Sequence, residues 1–501
     1  MGNYTRKAVR GAGIMFFMMA ASNFLGYVFR MLIAQFGGAT SLGLVYAVIS
    51  LFGAFSLLMN MGLRSSLVKY IPEFTAKGEP EKIKGAIIII GLATFLLSFL
   101  VCGIIMVYAE QVAALYWNNS AQNVDIGYAA FLIRVYGVGV LFSSIILVLR
   151  NCFNGFQEIK YFSSIDLVKS IISTALVIVF LLLGLREVAP LIGFTITYVV
   201  FLPAIYGIIF IKKVFPEFFR IKADLSKDLA KKLFGFGITA TLMDVAGTIS
   251  GNIDTIILTF FRGNYQAGLY NAAQPTTKLI SVVGPAITAV VFPMSSELWV
   301  TGKKEQLSRG LTMLYKYLLI IIFPMALILF LFPETILGTL FGKEFGQAGA
   351  VLSILTVGYV FQSFTWANTS ALSGIGKPKD AGTVALIGSL VLVILDFALV
   401  PSYGMLGVGY ANLTAFITTF LLSTMRIKAY VPVHIPWKDF FSVGTAGILI
   451  IGMSYLLSNV LSIWPRIFAT VILGSVIYLL VLFLTRSLVF DDVKQIIHKV
   501  K

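Results

Sequence analysis

Charge is scarce in this chain. Only 12% of its 501 residues are Asp, Glu, Lys or Arg, and 58% are hydrophobic. A soluble globular domain carries about 25% charged residues. Histidine is nearly absent, with His434 and His498 the only two. A zinc hydrolase or a His-based acid–base enzyme would have almost nothing to work with. The two cysteines, Cys102 and Cys152, are spaced like neither a disulfide framework nor a metal site. The chain also lacks a glycine-rich phosphate loop, a paired-carboxylate site and a nucleophile elbow. Nothing here looks like ATP hydrolysis, and these absences point away from an enzyme.

What is present is apolar surface, including 42 phenylalanines. No water-soluble core of this size needs that much, so the bilayer is the solvent. At about 20 apolar residues per crossing, the sequence predicts an all-α polytopic membrane protein of about fourteen spans. They fall near 11–35, 42–68, 85–109, 127–149, 161–183, 188–211, 233–260, 267–296, 310–332, 346–372, 381–401, 406–425, 438–460 and 466–488. The first run opens after Arg6, Lys7 and Arg10 without a small-residue cleavage site, so no cleavable signal peptide is expected.

The net charge of +16 reads as the excess of cytoplasmic loops rather than as a nucleic-acid surface. Alternate loops carry nearly all the lysine and arginine, from Lys77, Lys82 and Lys84 to Lys303, Lys304 and Arg309. The other set holds only Arg186, Arg262, Lys343 and Arg466. The positive-inside rule then puts both termini in the cytoplasm of a plasma-membrane protein. The longest basic connection, Lys212 to Lys232, carries Phe215, Phe218 and Phe219. It reads either as a segment lying on the inner leaflet or as a solvated linker.

The opening stretch is written twice. Lys7-Ala-Val-Arg-Gly11-Ala-Gly13 returns as Lys231-Lys-Leu-Phe-Gly235-Phe-Gly237, and Gly38 and Gly43 return as Gly263 and Gly268. The register drifts by about one residue between those ends, as a duplication allows. Each copy holds six spans, an even number, so the copies share one orientation in the membrane. The expected organisation is residues 1–215 as a first lobe, 216–430 as a second, and 431–501 as two further spans and a cytoplasmic tail.

Polar residues inside spans are few. A charge at mid-bilayer costs about 2.5–3.5 kcal/mol, so it should meet a partner or a wet cavity. Asn23, Tyr27 and Arg30 share one helical face. Tyr46, Ser50, Asn60 and Arg64 lie close to one stripe of span two, Thr241, Asp244, Thr248 and Asn252 in span seven, and Asn271, Gln274 and Lys278 in span eight. Such stripes can line one central cavity. Arg30, Arg64, Arg134 and Lys278 place cations at several depths, which suits an anionic group in transit, while Tyr27 and Tyr46 offer faces for sugar rings. Arg64 and Lys169 can equally snorkel to the inner surface. Asp166 with Lys169 reads as a structural pair, and Asp254 with Arg262 as an outer-rim pair. Asp396 and Asn412, on adjacent spans, can hold Na⁺ or carry H⁺, and Asp244 can neutralise Lys278 or bind a coupling cation.

Gly43-Leu-Val-Tyr46 and Gly268-Leu-Tyr270, with the doubled six-span layout, resemble the multidrug/oligosaccharidyl-lipid/polysaccharide exporter superfamily. Leu63-Arg64-Ser-Ser-Leu-Val-Lys69-Tyr70, Asn154-Gly155-Phe156-Gln157 and Ser373-Gly374-Ile-Gly376-Lys377-Pro378 are similar to its polysaccharide-flippase branch. The resemblance spans the twelve core helices. It implies alternating-access flipping of a lipid-linked oligosaccharide, carried on undecaprenyl or dolichyl phosphate or diphosphate. It also implies a cationic cavity and a cation site among spans seven, eleven and twelve, where Asp244, Asp396 and Asn412 fall. Leu392 stands one turn before Asp396, where a further polar ligand is expected, so coupling to H⁺ stays open beside Na⁺.

Three rivals remain. A cation-coupled multidrug antiporter would need a net-negative cavity, whereas the spans hold five cations against four acids. A glycan polymerase or ligase would need a reactive outer loop, and the longest, about 110–126 and 333–345, carry few such groups. A plain channel would pass continuous ion current.

Overall fold

The structure is a computed structural model. It describes residues 2–117, 124–280 and 283–487, and within them the side chains of all but residues 2–12, 14, 238–250, 283, 285, 286 and 289. Among the described residues no strand forms. That is what a bilayer demands of an unclosed chain, since each backbone N–H and C=O must be satisfied inside its own segment.

The helices run in order: α1 (Gly2–Asn60), α2 (Leu63–Lys77), α3 (Pro80–Val107), α4 (Ala109–Trp117), α5 (Ile126–Gly155), α6 (Ile159–Leu182), α7 (Val188–Ile196), α8 (Leu202–Ile209), α9 (Lys227–Thr277), α10 (Val283–Val300), α11 (Lys304–Leu331), α12 (Pro333–Leu340), α13 (Gly349–Gly374), α14 (Pro378–Tyr403), α15 (Met405–Lys428), α16 (Trp437–Ser458) and α17 (Ile463–Leu484). One π-helical turn, Thr197–Phe201, joins α7 to α8 and a second, Phe210–Val214, extends α8, giving one continuous run, Val188–Val214.

Among the described residues, eleven helices are long and apolar enough to cross a membrane. This is a multi-pass membrane protein. α1 runs through the first two expected spans without a loop, and α9 through the seventh into the eighth. Each is bent at a glycine instead: Gly38 in α1 (φ 76°, ψ −174°) and Gly263 in α9 (φ 78°, ψ −178°). That backbone conformation is open essentially to glycine alone. The two bends therefore match to within a few degrees at positions that the repeat pairs.

Five residues past each bend, Gly43 and Gly268 let α1 and α9 touch backbone to backbone. A Cβ on Gly43 would sit 1.8 Å from the Asn264 carbonyl oxygen and 2.8 Å from the Gly268 nitrogen. A Cβ on Gly268 would sit 1.8 Å from the Ala39 carbonyl oxygen and 2.9 Å from the Gly43 nitrogen. Ala39 and Asn264 are themselves repeat partners, so the contact is the same on both sides, as a two-fold crossing requires.

The chain divides into two compact units, Met1–Ala272 with Asp396–Met405, and Ala273–Leu395 with Leu406–Lys501. The first has an aromatic core around Tyr70, Phe74, Phe153, Tyr206 and Phe210. Part of the basic connection belongs to it: Phe215 is buried in this core, Phe218 packs on it, and only Phe219 of the three is exposed. The chain is held to α3 there, with Asp224 N donating to Glu81 O at 3.0 Å and Lys84 Nζ to Ile221 O at 2.7 Å. The connection is thus docked, through its phenylalanines, rather than solvated throughout.

The second unit packs α11, α13, α16 and α17 around Tyr315, Phe364, Ala367, Val443 and Tyr478. At its centre Asn368, fully buried, accepts from the Tyr315 hydroxyl and donates to Ser423 and Thr424, both at 3.1 Å. Apolar packing has no water to escape from in lipid, so such polar knots help fix the pairing of helices.

Candidate functional site

α1 and α2 are separated by two left-handed residues, Met61 (φ 42°) and Gly62 (φ 62°). The break puts Arg64 in the first turn of α2, beside a cavity of about 200 Å³ in the first unit. The Arg64 guanidinium donates through Nε to Asn60 Oδ1 at 2.6 Å. One wall is aromatic: Phe52, Tyr136 and Phe194, with ring centroids 5.5 Å and 4.6 Å apart along that row. The remaining lining mixes the hydroxyls of Ser56 from α1, Thr94 and Ser98 from α3, and Ser143 and Ser144 from α5 with the apolar side chains of Ile49, Met59, Val140 and Leu147. Asn252 of α9 closes it against Gly53, where a Cβ would meet Asn252 Oδ1 at 2.3 Å.

Thr94, Ser143 and Ser144 donate to carbonyls of their own helices, at 2.7, 2.6 and 2.6 Å, and keep acceptor lone pairs for the cavity. Ser56, Ser98 and Tyr136 have no hydrogen-bond partner among the described residues. Arg64 is the one charged group among the described residues lining this cavity, and those residues include no carboxylate.

Arg30 of α1, half-buried, donates through Nε to the Tyr46 hydroxyl at 2.7 Å and lies over the Tyr46 ring at 4.4 Å. Its Nη1 reaches the Asn271 carbonyl at 3.4 Å. It has no acidic partner among the described residues. The structure thus joins two residues that the sequence placed on different spans. Tyr27 is half-buried and Asn23 exposed. Arg134 is exposed on α5, 3.2 Å from Glu110, and outside the lining of the cavity. Gln274 and Lys278 are in the second unit, where exposed Lys278 donates to Gln274 Oε1 at 3.3 Å.

Asp166 bridges Lys169 at 3.6 Å, the expected structural pair, and also Arg150 at 2.7 Å. The expected Asp254–Arg262 pair does not form. Arg262 instead caps the end of α14, donating to the carbonyls of Val400 (3.3 Å), Pro401 and Ser402 (2.8 Å). Last-turn carbonyls have no partner of their own and carry the negative end of the helix dipole, so they draw the guanidinium away from the carboxylate. Gln266 completes the clasp by accepting from Met405 N at 3.0 Å.

Asp254 faces Asp396 within hydrogen-bonding reach, both buried, and accepts from the Tyr270 hydroxyl. Two buried carboxyl groups this close repel as anions. Of the expected coupling residues, Asp396 is at this pair. The Asp244 side chain lies outside the described residues. Asn412, in the second unit, donates to Val408 O in its own helix at 3.0 Å. Asp254 carried no sign of this pairing in the sequence, because its partner lies 142 residues on.

The start of α9 is fastened to α2. Ser66 Oγ donates to Leu233 O at 2.7 Å, Gly237 packs on Leu63, and Lys232 meets Glu73 at 3.0 Å. Hydrogen bonds from Lys77 and Lys232 hold the Glu73 carboxyl at about 2, below its ordinary 4.5.

Residues 8–299 match the family described as "Polysaccharide biosynthesis protein", and residues 168–480 the family described as "Lipid II flippase MurJ". The chain is 29% identical to the membrane protein MJ1068 of Methanocaldococcus jannaschii, across 99% of both chains. It is 23% identical to the "Probable low-salt glycan biosynthesis flippase Agl15" of Haloferax volcanii, over 44% of this chain and 48% of that one. Its fold is that of the solved "Lipid II flippase MurJ, inward closed conformation", with TM-score 0.75 at 17% identity over 95% of this chain and 99% of that one.

Proposed function

Because the chain belongs to the polysaccharide biosynthesis protein family, within the multidrug/oligosaccharidyl-lipid/polysaccharide exporter superfamily, we propose that it is a flippase for a lipid-linked glycan. It carries the sugar and its phosphate or diphosphate from the inner to the outer leaflet by alternating access, without making or breaking a covalent bond. The polyprenyl tail, undecaprenyl or dolichyl, stays in the bilayer. The two repeat copies act as lobes, and both termini are cytoplasmic.

The observation that supports this most is the character of the unit-one cavity: hydroxyls, an aromatic wall, one guanidinium and no carboxylate among its described lining residues. Among the described lining residues a cationic drug would find no carboxylate, whereas a phosphorylated or acidic glycan would find a guanidinium. Arg30 on its Tyr46 support offers a further contact for the head group. Export of negative charge is also downhill, at about 2.3 kcal/mol per charge for each 100 mV, interior negative. Asp254 and Asp396, with Asp244 and Asn412, are the groups for any coupling to Na⁺ or H⁺.

Complementation tests the reading. The wild-type chain should restore surface glycan in a strain lacking its own polysaccharide flippase, and Arg30→Ala should fail to do so at equal membrane abundance. Restoration by Arg30→Ala would remove that residue from the path. Failure by the wild type, with drug efflux in its place, would favour the antiporter.

A further inference from the structure

We infer that the connection from Lys212 to Lys232 is a docking surface for the anionic lipid headgroups of the leaflet beside it, the cytoplasmic one by the positive-inside rule. It needs only the membrane-crossing helices that hold the connection, and so stands apart from the flippase reading.

Depth comes first. The connection leaves the membrane-crossing run Val188–Val214, with Lys212 and Lys213 in its last turn. It is then fastened to a second crossing helix, α3, by Lys84 Nζ to Ile221 O at 2.7 Å and Asp224 N to Glu81 O at 3.0 Å. α3 has 28 residues. At 1.5 Å per residue that is about 42 Å, the thickness of a bilayer with its headgroups rather than of the ~30 Å hydrocarbon core alone. The first turn and a half of α3, which holds Glu81 and Lys84, therefore stands at headgroup level, and so does the backbone tied to it.

Orientation comes second. Phe215 is 7% exposed, its ring 6.3 Å from Phe210 and 5.7 Å from Phe156. Phe218 lies 6.2 Å from Phe210, with the Lys84 ammonium over its ring at 5.2 Å. Pinned on that side, the connection leaves Phe219 and Leu225 uncovered, at 71% and 61% exposed. Phe219 stands at 90° to Phe218, so one ring of the pair grips the protein and the next is offered outward. An apolar side chain presented at this depth meets the boundary between headgroups and acyl chains, where it is buried rather than wetted.

Charge comes third. The stretch holds seven cations against three acids. Lys232 is taken by Glu73 at 3.0 Å. Lys212, Lys213, Arg220, Lys222, Lys227 and Lys231 are exposed, and no side chain among the described residues pairs with any of them. Of the acids, Asp224 accepts from Ser226 N at 2.9 Å within its own loop, which leaves Glu217 and Asp228 facing solvent. A surplus of positive charge beside an uncovered ring at headgroup depth is answered by a leaflet of anionic lipid. An acidic soluble protein would meet the charge and leave the ring at that depth without a purpose. Each Lys or Arg near an anionic leaflet strengthens the attraction about fivefold.

Site-specific quenching by lipid tests this. Cys102 and Cys152 are buried, so Leu225→Cys in the full-length protein offers one accessible thiol to a fluorophore. The labelled protein is reconstituted in mixed vesicles of phosphatidylcholine and phosphatidylglycerol, with equal amounts of nitroxide carried by one lipid or by the other. Quenching should be about fivefold stronger from phosphatidylglycerol, and the preference should shrink as salt is raised. Arg220→Gln with Lys222→Gln should at least halve it, and Arg220→Lys with Lys222→Arg should keep it. Phe219→Asp should weaken quenching by both lipids, while Phe219→Leu should not. Equal quenching by the two lipids, a preference untouched by the double neutralisation or by salt, or no quenching by either, meaning a connection that stands in water, overturns the inference. Equal quenching in a protein that still flips a glycan lipid would remove this surface and leave the flippase reading standing. A preference for phosphatidylglycerol in a protein that flips nothing would do the reverse.

Discussion

Gly43 and Gly268 touch backbone to backbone. A Cβ on either would fall 1.8 Å from a carbonyl oxygen of the other helix, Asn264 in one case and Ala39 in the other. The two residues are repeat partners, and so are the two carbonyls, so one local geometry has been used twice and turned against itself. Gly43→Ala and Gly268→Ala should each lower stability by at least the ~1–3 kcal/mol of ordinary overpacking, because backbone has no rotamer with which to yield. Since both strain the same crossing, the double variant should cost less than the sum of the singles. Thermal unfolding of the four proteins in one detergent measures this, and additive losses would argue against a shared contact.

Arg30 and Tyr46 give a second test. Tyr46→Phe removes the hydrogen bond at 2.7 Å and keeps the ring under the guanidinium at 4.4 Å. A cation–π contact contributes about 0.5–2 kcal/mol, so Tyr46→Phe should retain partial flipping, whereas Tyr46→Leu should approach Arg30→Ala. Initial flipping rates of the three variants rank them. Equal rates for Tyr46→Phe and Tyr46→Leu would deny the ring a role.

The Asp254–Asp396 pair predicts a coupling defect rather than a folding defect. Asp396→Asn replaces one of two facing carboxyls with a neutral amide and relieves their repulsion. The variant should melt no lower than the wild type, yet should lose the acceleration that an imposed Na⁺ or H⁺ gradient gives the wild type. A gradient response left intact would move the coupling site elsewhere.

Glu73 predicts a pH dependence at the start of α9. Its carboxyl titrates at about 2 in the folded protein against an ordinary 4.5. A folded value below the unfolded one stabilises above about 4.5, and that contribution fades as pH falls from there towards 2. Glu73→Gln should therefore melt below the wild type at pH 7, with the difference closing under acid. An unchanged gap at pH 2.5 would show that the ion pair with Lys232 and Lys77 is not its source.

Much of the fold was readable because repetition leaves its mark in glycine. The register that paired Gly38 with Gly263 pointed to two bends of nearly identical φ and ψ. The merging of spans was not readable: a glycine bend and a loop look alike when apolar residues run on both sides. Arg30 and Arg64 were visible as rare cations in apolar helices, and both are half-buried with polar company. The pairing of Asp254 escaped notice because sequence favours near neighbours, and Arg262 prefers the carbonyls of a distant helix end that no residue type announces. The hydroxyl wall was equally silent, since Ser98 and Ser144 look in sequence like any serine bonding its own helix.

The most direct test of the whole account is flipping in proteoliposomes. A fluorescent lipid-linked oligosaccharide would be incorporated with the protein, and a membrane-impermeant reductant added outside. The account predicts that the wild type exposes the inner-leaflet pool and bleaches nearly all fluorescence, while Arg30→Ala vesicles keep the inner pool as protein-free vesicles do. An inner pool equally protected with wild-type protein, at a confirmed protein-to-vesicle ratio, would contradict it.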